Sequence, residues 1–115
     1  MIGSDWILVV TVDVDADIEA DWNVWYDTVH APDALACPGV RNCTRLIDER
    51  PARVRGMDAR PGDYGRAYIT IYEVDGPHVL ETPEFQAMRG WAHFADKVRS
   101  TTRCYRATRR EFTRT

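Results

Sequence analysis

His30 and Tyr26 are the two side chains of this 115-residue sequence whose types and spacing best suit proton-transfer chemistry. They stand four residues apart in a segment with helical periodicity, and residues at that spacing reach the same side of a helix. An imidazole titrates at about pH 6.5 in water, and a helix C-terminus favours its charged form, so His30 is a candidate general acid or base. A phenol beside it could donate to a substrate carbonyl, which suits enolisation, aldol closure or decarboxylation. The structural alternatives are a histidine that caps the helix end and a tyrosine that packs in the core.

Aromatic side chains are the next candidates, for contact with a substrate. Trp25 belongs to the first helical segment and Trp91 to a later one, where packing is the simpler expectation. Tyr68 and Tyr72 share one face of a predicted strand. If that face meets the helices, their hydroxyls line a cavity; if it meets a second subunit, they fill a barrel. The alternation of the strand leaves both possibilities open.

Arg45 is a candidate for contact with a polar group of the substrate, and it shares one strand face with Arg41. If their strand forms a hairpin with the strand that contains Glu73, that carboxylate would lie near either arginine. An ion pair is then a simpler expectation than an anion site. Asp27 is expected to be solvated or to pair with Arg45.

Neither a metal site nor a cofactor is predicted. His78 and His93 have no metal-ligand spacing with another histidine or with an acidic residue. Cys37, Cys43 and Cys104 form no CxxC motif and cannot all pair with one another, so they are expected to be reduced, partly buried thiols. The sequence has no Gly-rich phosphate loop, serine elbow or dinucleotide fingerprint.

Four strands and two helices must position these side chains. Runs of β-branched and aromatic residues predict strands over residues 6–14, 40–47, 66–74 and 101–112. Apolar residues spaced by three and four predict a first helix over residues 18–30, with the apolar face Ile18, Trp22, Trp25, Tyr26 and Val29. Pro32 is expected to end that helix, because proline disfavours helical geometry in the residue before it.

The second helix is predicted to open at Pro83, directly after Thr82. Its apolar face is predicted to consist of Phe85, Met88, Trp91, Ala92 and Ala95. The resulting order, β-α-β-β-α-β, is that of the ferredoxin-like plait, an α+β fold with a four-stranded antiparallel sheet and two helices on one face. At this length the chain is expected to form one domain over residues 1–115.

Residues 48–66 carry several glycines and prolines among charges and almost nothing apolar to bury. We therefore expect a long mobile loop, of the kind that often has a function in compact domains.

The plait leaves one face of its sheet uncovered. The first predicted strand has apolar side chains in both directions, with Ile7 and Val9 opposite Leu8 and Val10. An exposed apolar sheet face usually marks an interface, so a homodimer that forms through the sheets is expected.

A series of short motifs resembles the EthD-like members of the dimeric α/β-barrel superfamily. The matching residues are Trp25-Tyr26, His30, Pro32, Pro38-Gly39, Arg45, Tyr72-Glu73 and Thr82-Pro83-Glu84. The resemblance itself extends over nearly the whole chain. The resemblance implies a homodimer whose two sheets face each other as a barrel, with a cavity between helices and sheet in each subunit. Relatives of this kind include polyketide cyclases, EthD-domain decarboxylases and cofactor-free monooxygenases.

The residues and the resemblance together predict a cofactor-independent enzyme that acts by acid/base proton transfer on a small aromatic or polyketide-like substrate, as a cyclase, decarboxylase or lyase. His30 and Tyr26 would be catalytic, and the substrate would be bound by Trp25, Tyr68, Tyr72, Arg45 and Trp91. The alternatives are a cofactor-free monooxygenase and a non-catalytic dimer that binds a small apolar ligand.

Charge is unevenly distributed along the chain, although the net charge is only −3. Residues 1–40 contain eight acidic residues and no Lys or Arg, whereas residues 97–115 contain six Arg and one Lys. A pI of about 5.5 and the alternation of the tail arginines along a predicted strand argue against a nucleic-acid partner. No apolar window approaches the roughly eighteen residues of a membrane span, and the start of the sequence lacks the basic residues of a secretory signal. We therefore expect a cytoplasmic protein with no membrane partner.

Overall fold

A four-stranded antiparallel sheet forms one layer of the molecule. The computed structural model describes residues 3–48, 64–108 and 112–114. The sheet has the order β2-β3-β1-β4, with strands β1 Trp6–Asp15, β2 Val40–Ile47, β3 Tyr64–Val74 and β4 Val98–Arg106. The predicted fold and three of the four predicted strands are confirmed. The predicted loop over 48–66 lies outside the described residues from residue 49 to residue 63.

The helices cover one face of this sheet. Leu8, Val10, Val12 and Val14 of β1 point toward the helices and are buried, while the residues between them are half-buried or exposed. In β3, the buried set that continues this face is Tyr68, Thr70, Tyr72 and Val74. The β3 tyrosines therefore meet the helices of their own subunit.

The first helical region is longer than predicted and contains an irregular turn. A 3₁₀ turn at Ala16–Ile18 leads into α1 at Glu19–Trp25, a π-helical turn at Tyr26–His30 and α2 at Ala31–Leu35. The expected end of the helix at His30 is therefore wrong. The wider π turn accommodates Pro32 at the start of α2, because a proline ring meets the carbonyl four residues earlier only in regular α-helix.

The π turn also changes which residues face the sheet. The Ala31 N–H donates to the Tyr26 carbonyl five residues earlier, so the turn holds one residue more than an α-helical turn does. As a result Val29, predicted to be on the apolar face, is 43% exposed, and His30 is only 7% exposed.

The second helix is shorter than predicted. A 3₁₀ turn at Pro77–Glu81 precedes α3 at Pro83–Met88, and the Phe85 N–H donates to the Thr82 hydroxyl as an N-cap. The chain then leaves helical geometry, because Gly90 has φ +104° and Ala92 has φ +52°. A helical face that continues to Ala95 is therefore wrong.

The fourth strand lies earlier in the chain than predicted. A 3₁₀ segment at Ala92–Lys97 ends directly before β4, which begins at Val98 and ends at Arg106. The predicted strand over 101–112 is thus shifted by several residues, and Phe112 is 89% exposed. No helix in the described part of the chain is both long and apolar enough to cross a membrane.

Candidate functional site

A cavity of about 380 Å³ lies between the helical layer and the sheet. Tyr26, His30 and Ala34 line it from the first helical region, and Trp91 lines it from the segment after α3. The sheet contributes Val10, Tyr72, Ser100 and Thr102, and the rim includes Leu80, Glu81, Phe85, Gln86, Met88, Arg89 and Gly90. Four of the residues predicted to act on or bind a substrate therefore line one space: His30, Tyr26, Tyr72 and Trp91.

The His30 imidazole is enclosed by aromatic rings. It stacks on Trp25 with ring centroids 4.6 Å apart and an interplanar angle of 22°. Tyr26 meets it edge-on at 4.9 Å, and Trp91 lies tilted at 5.2 Å. Trp25 thus contacts the imidazole and does not line the cavity.

Burial lowers the pKa of His30 to about 4, and the positive charge of Arg45 acts in the same direction, against an opposing effect of Asp33. The imidazole is therefore neutral at pH 7. The expectation that a helix end would favour its charged form is wrong, because the helix continues beyond His30 to Leu35. Desolvation is the dominant effect, and it leaves a base that faces the cavity.

Tyr26 and Tyr72 bring their hydroxyl oxygens to 3.1 Å of each other in the buried part of the cavity wall. Burial raises the pKa of both phenols, so both remain protonated at neutral pH. One of the two protons is used in the hydrogen bond between the phenols. The other proton is not used in that hydrogen bond.

Trp91 is placed by the irregular backbone after α3 rather than by a helix face. Its indole Nε1 donates to the Ser100 hydroxyl across 2.9 Å. Its ring is tilted toward that of Tyr26, with centroids 5.9 Å apart. This flat aromatic surface joins His30 on the wall of the cavity.

Arg45 lies behind the cavity wall instead of in it. Its guanidinium carbon is 4.1 Å from the centroid of the Tyr26 ring. Nη1 donates to Asp27 across 2.6 Å, and Nη2 donates to Asn23 across 2.9 Å. Asp27 was expected either to be solvated or to pair with Arg45, and the structure contains the ion pair.

Glu73 pairs with neither arginine of β2. Its carboxylate accepts hydrogen bonds from the backbone N–H groups of Gly3 and Ser4 and from the Asn42 amide. Arg41 instead forms an exposed ion pair with Asp75 across 2.6 Å.

Tyr68 also lies outside the His30 cavity. Its hydroxyl donates to Glu19 across 2.5 Å and accepts from the Asn23 amide across 2.9 Å. Glu19, Asn23 and Asp27 form a polar stripe along the first helical region that faces Tyr68 and Arg45. The sequence analysis missed this stripe, although its spacing of four residues was a readable signal.

The remaining histidines and the cysteines form no further site. His78 and His93 are exposed, Cys37 is buried, and Cys43 and Cys104 are half-buried free thiols. Across residues 3–48, 64–108 and 112–114, no three His, Cys, Asp or Glu side chains are grouped to hold a metal ion.

No protein-family model and no curated protein matches the sequence. Among solved structures, HapK from Hahella chejuensis superposes with a TM-score of 0.58 at 10% identity, over 96% of this chain and 99% of that one. The chain has the ferredoxin-like fold of these solved structures. An EthD-family protein from Bacillus halodurans matches this fold with a TM-score of 0.53 at 15% identity, over 84% of this chain and 95% of that one.

SnoaB from Streptomyces nogalater, a cofactor-independent oxygenase, has the same fold. It matches with a TM-score of 0.53 at 15% identity, over 93% of this chain and 97% of that one. The predicted resemblance to EthD-like proteins is thus confirmed at the level of the fold.

Proposed function

We propose that the protein is a cofactor-independent enzyme that transfers protons on a small, planar aromatic or polyketide-like substrate. The observation that carries the proposal is the position of a neutral imidazole, His30, on the wall of a cavity that also contains the paired phenols Tyr26 and Tyr72. Enolisation requires a base that removes a proton from carbon and a hydrogen-bond donor to the carbonyl oxygen.

The proposed reaction begins when a ring nitrogen of His30 removes a proton from a carbon next to a carbonyl. Negative charge moves to the carbonyl oxygen, which accepts the free hydroxyl proton of the Tyr26–Tyr72 pair as a hydrogen bond. The enolate carbon then attacks a second carbonyl of the same molecule, and the imidazolium returns its proton to the new alkoxide. This sequence closes a ring, balances the proton and leaves His30 neutral for the next turnover.

A pKa of about 4 makes His30 a weak base, and a charged intermediate beside the ring changes that pKa. An enolate beside the imidazole places a negative charge next to it, and an opposite charge within a few ångströms favours the protonated form. The same burial that keeps His30 neutral before reaction therefore strengthens the ion pair that forms during reaction.

The shape of the cavity supports a flat substrate. Its volume of about 380 Å³ lies at the lower end of the range typical of small-molecule sites. Trp91 and Phe85 present aromatic surfaces, and Ser100 and Thr102 present hydroxyls from the sheet. Flat rings that carry several oxygens fit this combination.

The experiment is an exchange assay in deuterium oxide. Aromatic and poly-β-keto carbonyl compounds are first screened for binding by ligand-observed NMR, and those that bind are incubated with the protein. We expect deuterium at the carbon next to the carbonyl, at a rate that His30→Asn abolishes and His93→Asn leaves unchanged. Binding without incorporation would favour the non-catalytic dimer, and oxygen uptake in proportion to turnover would favour a cofactor-free monooxygenase.

A further inference from the structure

Arg45 is a mostly buried cation that does not line the His30 cavity. It projects from the edge strand β2 toward the first helical region, where it lies over the face of the Tyr26 ring at 4.1 Å. The rings of Trp22 and Tyr68 lie farther away, at 5.2 and 5.4 Å. The guanidinium is thus in closest aromatic contact with the residue whose hydroxyl reaches the cavity.

The two ends of the Arg45–Asp27 ion pair differ in exposure. The Arg45 side chain is 18% exposed and that of Asp27 is 63% exposed. Water screens the carboxylate more than it screens the guanidinium, so the field inside the protein keeps a net positive contribution. The negative charge of Asp27 therefore does not fully cancel the field of Arg45 at the cavity wall.

The surroundings of Arg45 are costly for a purely structural residue. Its Nε is buried and has no hydrogen-bond partner within the described parts of the chain. An unpaired buried donor lowers stability. A role of the charge itself explains why an arginine occupies this position.

We propose that Arg45 is a positioning residue of the cavity, which holds the Tyr26 ring against the cavity wall and supplies a permanent positive charge behind it. The catalytic meaning of this role rests on the proposed function, since Arg45 acts through Tyr26 and His30 and not on the substrate. A cation on the ring face makes the phenol a stronger hydrogen-bond donor, and it opposes a second positive charge on the nearby imidazole.

The electrostatics of the neighbouring groups agree with this role. The charge of Arg45 acts to lower the pKa of Tyr26 and of His30, although burial is the larger effect on each. Asp33, on α2, acts on His30 in the opposite direction. Glu19 accepts a hydrogen bond from Tyr68, and the rim of the cavity carries Glu81 and Arg89.

The test measures the protonated fraction of His30 in the ligand-free protein, from imidazole nitrogen chemical shifts at pH 4 and pH 5. Arg45→Gln should raise the pKa of His30, so that the protonated fraction of the imidazole increases at both pH values. Arg45→Lys keeps the positive charge, so the pKa of His30 in this variant should stay close to its wild-type value. Arg41→Gln, which removes an exposed charge from the same strand, should leave the pKa of His30 unchanged.

A second variant protects the test against misfolding of Arg45→Gln. Asp27→Asn keeps the guanidinium and removes its counter-charge, so it should move the pKa of His30 in the opposite direction and lower the protonated fraction at pH 4. Arg45→Gln and Asp27→Asn are compared with the wild type where they fold. If His30 titrates as in the wild type in each folded variant, the proposal is wrong. If the pKa moves as expected but no carbon acid exchanges deuterium, the role of Arg45 stands and the proposed function fails.

Discussion

The ring of Trp25 lies almost parallel to the imidazole of His30, five residues further along the chain. Residues at this spacing do not share one side of an α-helix, but they do in a π-helical turn, where the repeat is longer. The turn at Tyr26–His30 thus sets the stack and directs His30 into the cavity. Irregular helical turns of this kind are frequent at functional sites, which agrees with a role for His30 beyond packing.

Replacement of His30 by Asn should lower turnover of a carbon-acid substrate by about 100-fold or more, because asparagine keeps a hydrogen-bonding group and cannot carry a proton at neutral pH. Loss of the stack on Trp25 should cost only about 1 kcal/mol of stability. Steady-state kinetics and urea unfolding measure the two effects. His93→Asn is the control, since that ring is exposed beside Phe94. A variant that keeps its activity and loses its stability would show that His30 is structural.

Stability should rise with pH between about pH 4 and pH 6.5 because of His30. The folded pKa of about 4 lies below the unfolded value of 6.5, so in this window the unfolded state binds more protons and acid favours unfolding. The difference between the two pKa values contributes about 3 kcal/mol to the free energy of unfolding above pH 6.5, and this contribution is lost as the pH falls to about 4. Urea unfolding from pH 4 to pH 7.5 should give a flatter profile for His30→Gln than for the wild type. Parallel profiles would contradict the burial of a neutral imidazole.

Two glycines with positive φ should differ in their tolerance of alanine. At Gly90, with φ +104°, an added Cβ meets nothing within 4 Å, so Gly90→Ala should cost about 1 to 2 kcal/mol of backbone strain. At Gly39, with φ +83°, it would lie 2.6 Å from Cγ2 of the fully buried Val79. Gly39→Ala should therefore cost about 1 to 3 kcal/mol more. If thermal or urea unfolding showed equal losses of stability for the two variants, the Val79 side chain would be able to move aside without cost.

The uncovered face of the sheet should form a homodimer. Its apolar residues include Val9, Leu46, Ile69, Ile71 and Tyr105, and a surface of this kind usually marks an interface. Light scattering at micromolar concentration should give a mass near twice 13.2 kDa.

Variants on opposite sides of the subunit locate this interface. Ile69→Glu, on the uncovered face, should shift the protein to monomers, whereas Val24→Glu, at an exposed position of α1, should not. A wild-type mass near 13.2 kDa would disprove dimerisation, and equal effects of the two variants would place the interface elsewhere.

Much of the sheet could be predicted because strand signals are local. Val40–Ile47 was predicted to the residue, since a Pro38-Gly39 turn precedes a segment of strand length that contains several β-branched residues. The helices were harder to predict from the sequence, because the periodicity argument assumes 3.6 residues per turn throughout. The π turn breaks that assumption after Trp25, and the left-handed residues Gly90 and Ala92 break it after Met88.

The candidate site was predictable in part. The pairing of His30 with Tyr26 follows from spacing. Alternation puts Tyr72 on one face of β3 but does not tell whether that face meets the helices or a second subunit. The different surroundings of Tyr68 could not be predicted, since it shares that face with Tyr72 and lies only four residues away. The position of Arg45 behind Tyr26 likewise depends on tertiary packing, which sequence spacing does not encode.

The alternation of β4 assigns neighbouring residues to two separate tasks. Ser100 and Thr102 line the cavity, whereas Thr101 and Arg103, paired with Thr11 and Val9 of β1, project from the opposite, uncovered face. A saturation mutagenesis scan along this strand should therefore show a period of two, with ligand affinity and subunit association changed at alternate positions. Because one layer of backbone separates the two surfaces, evolution or design could alter the ligand without changing the partner, one residue at a time.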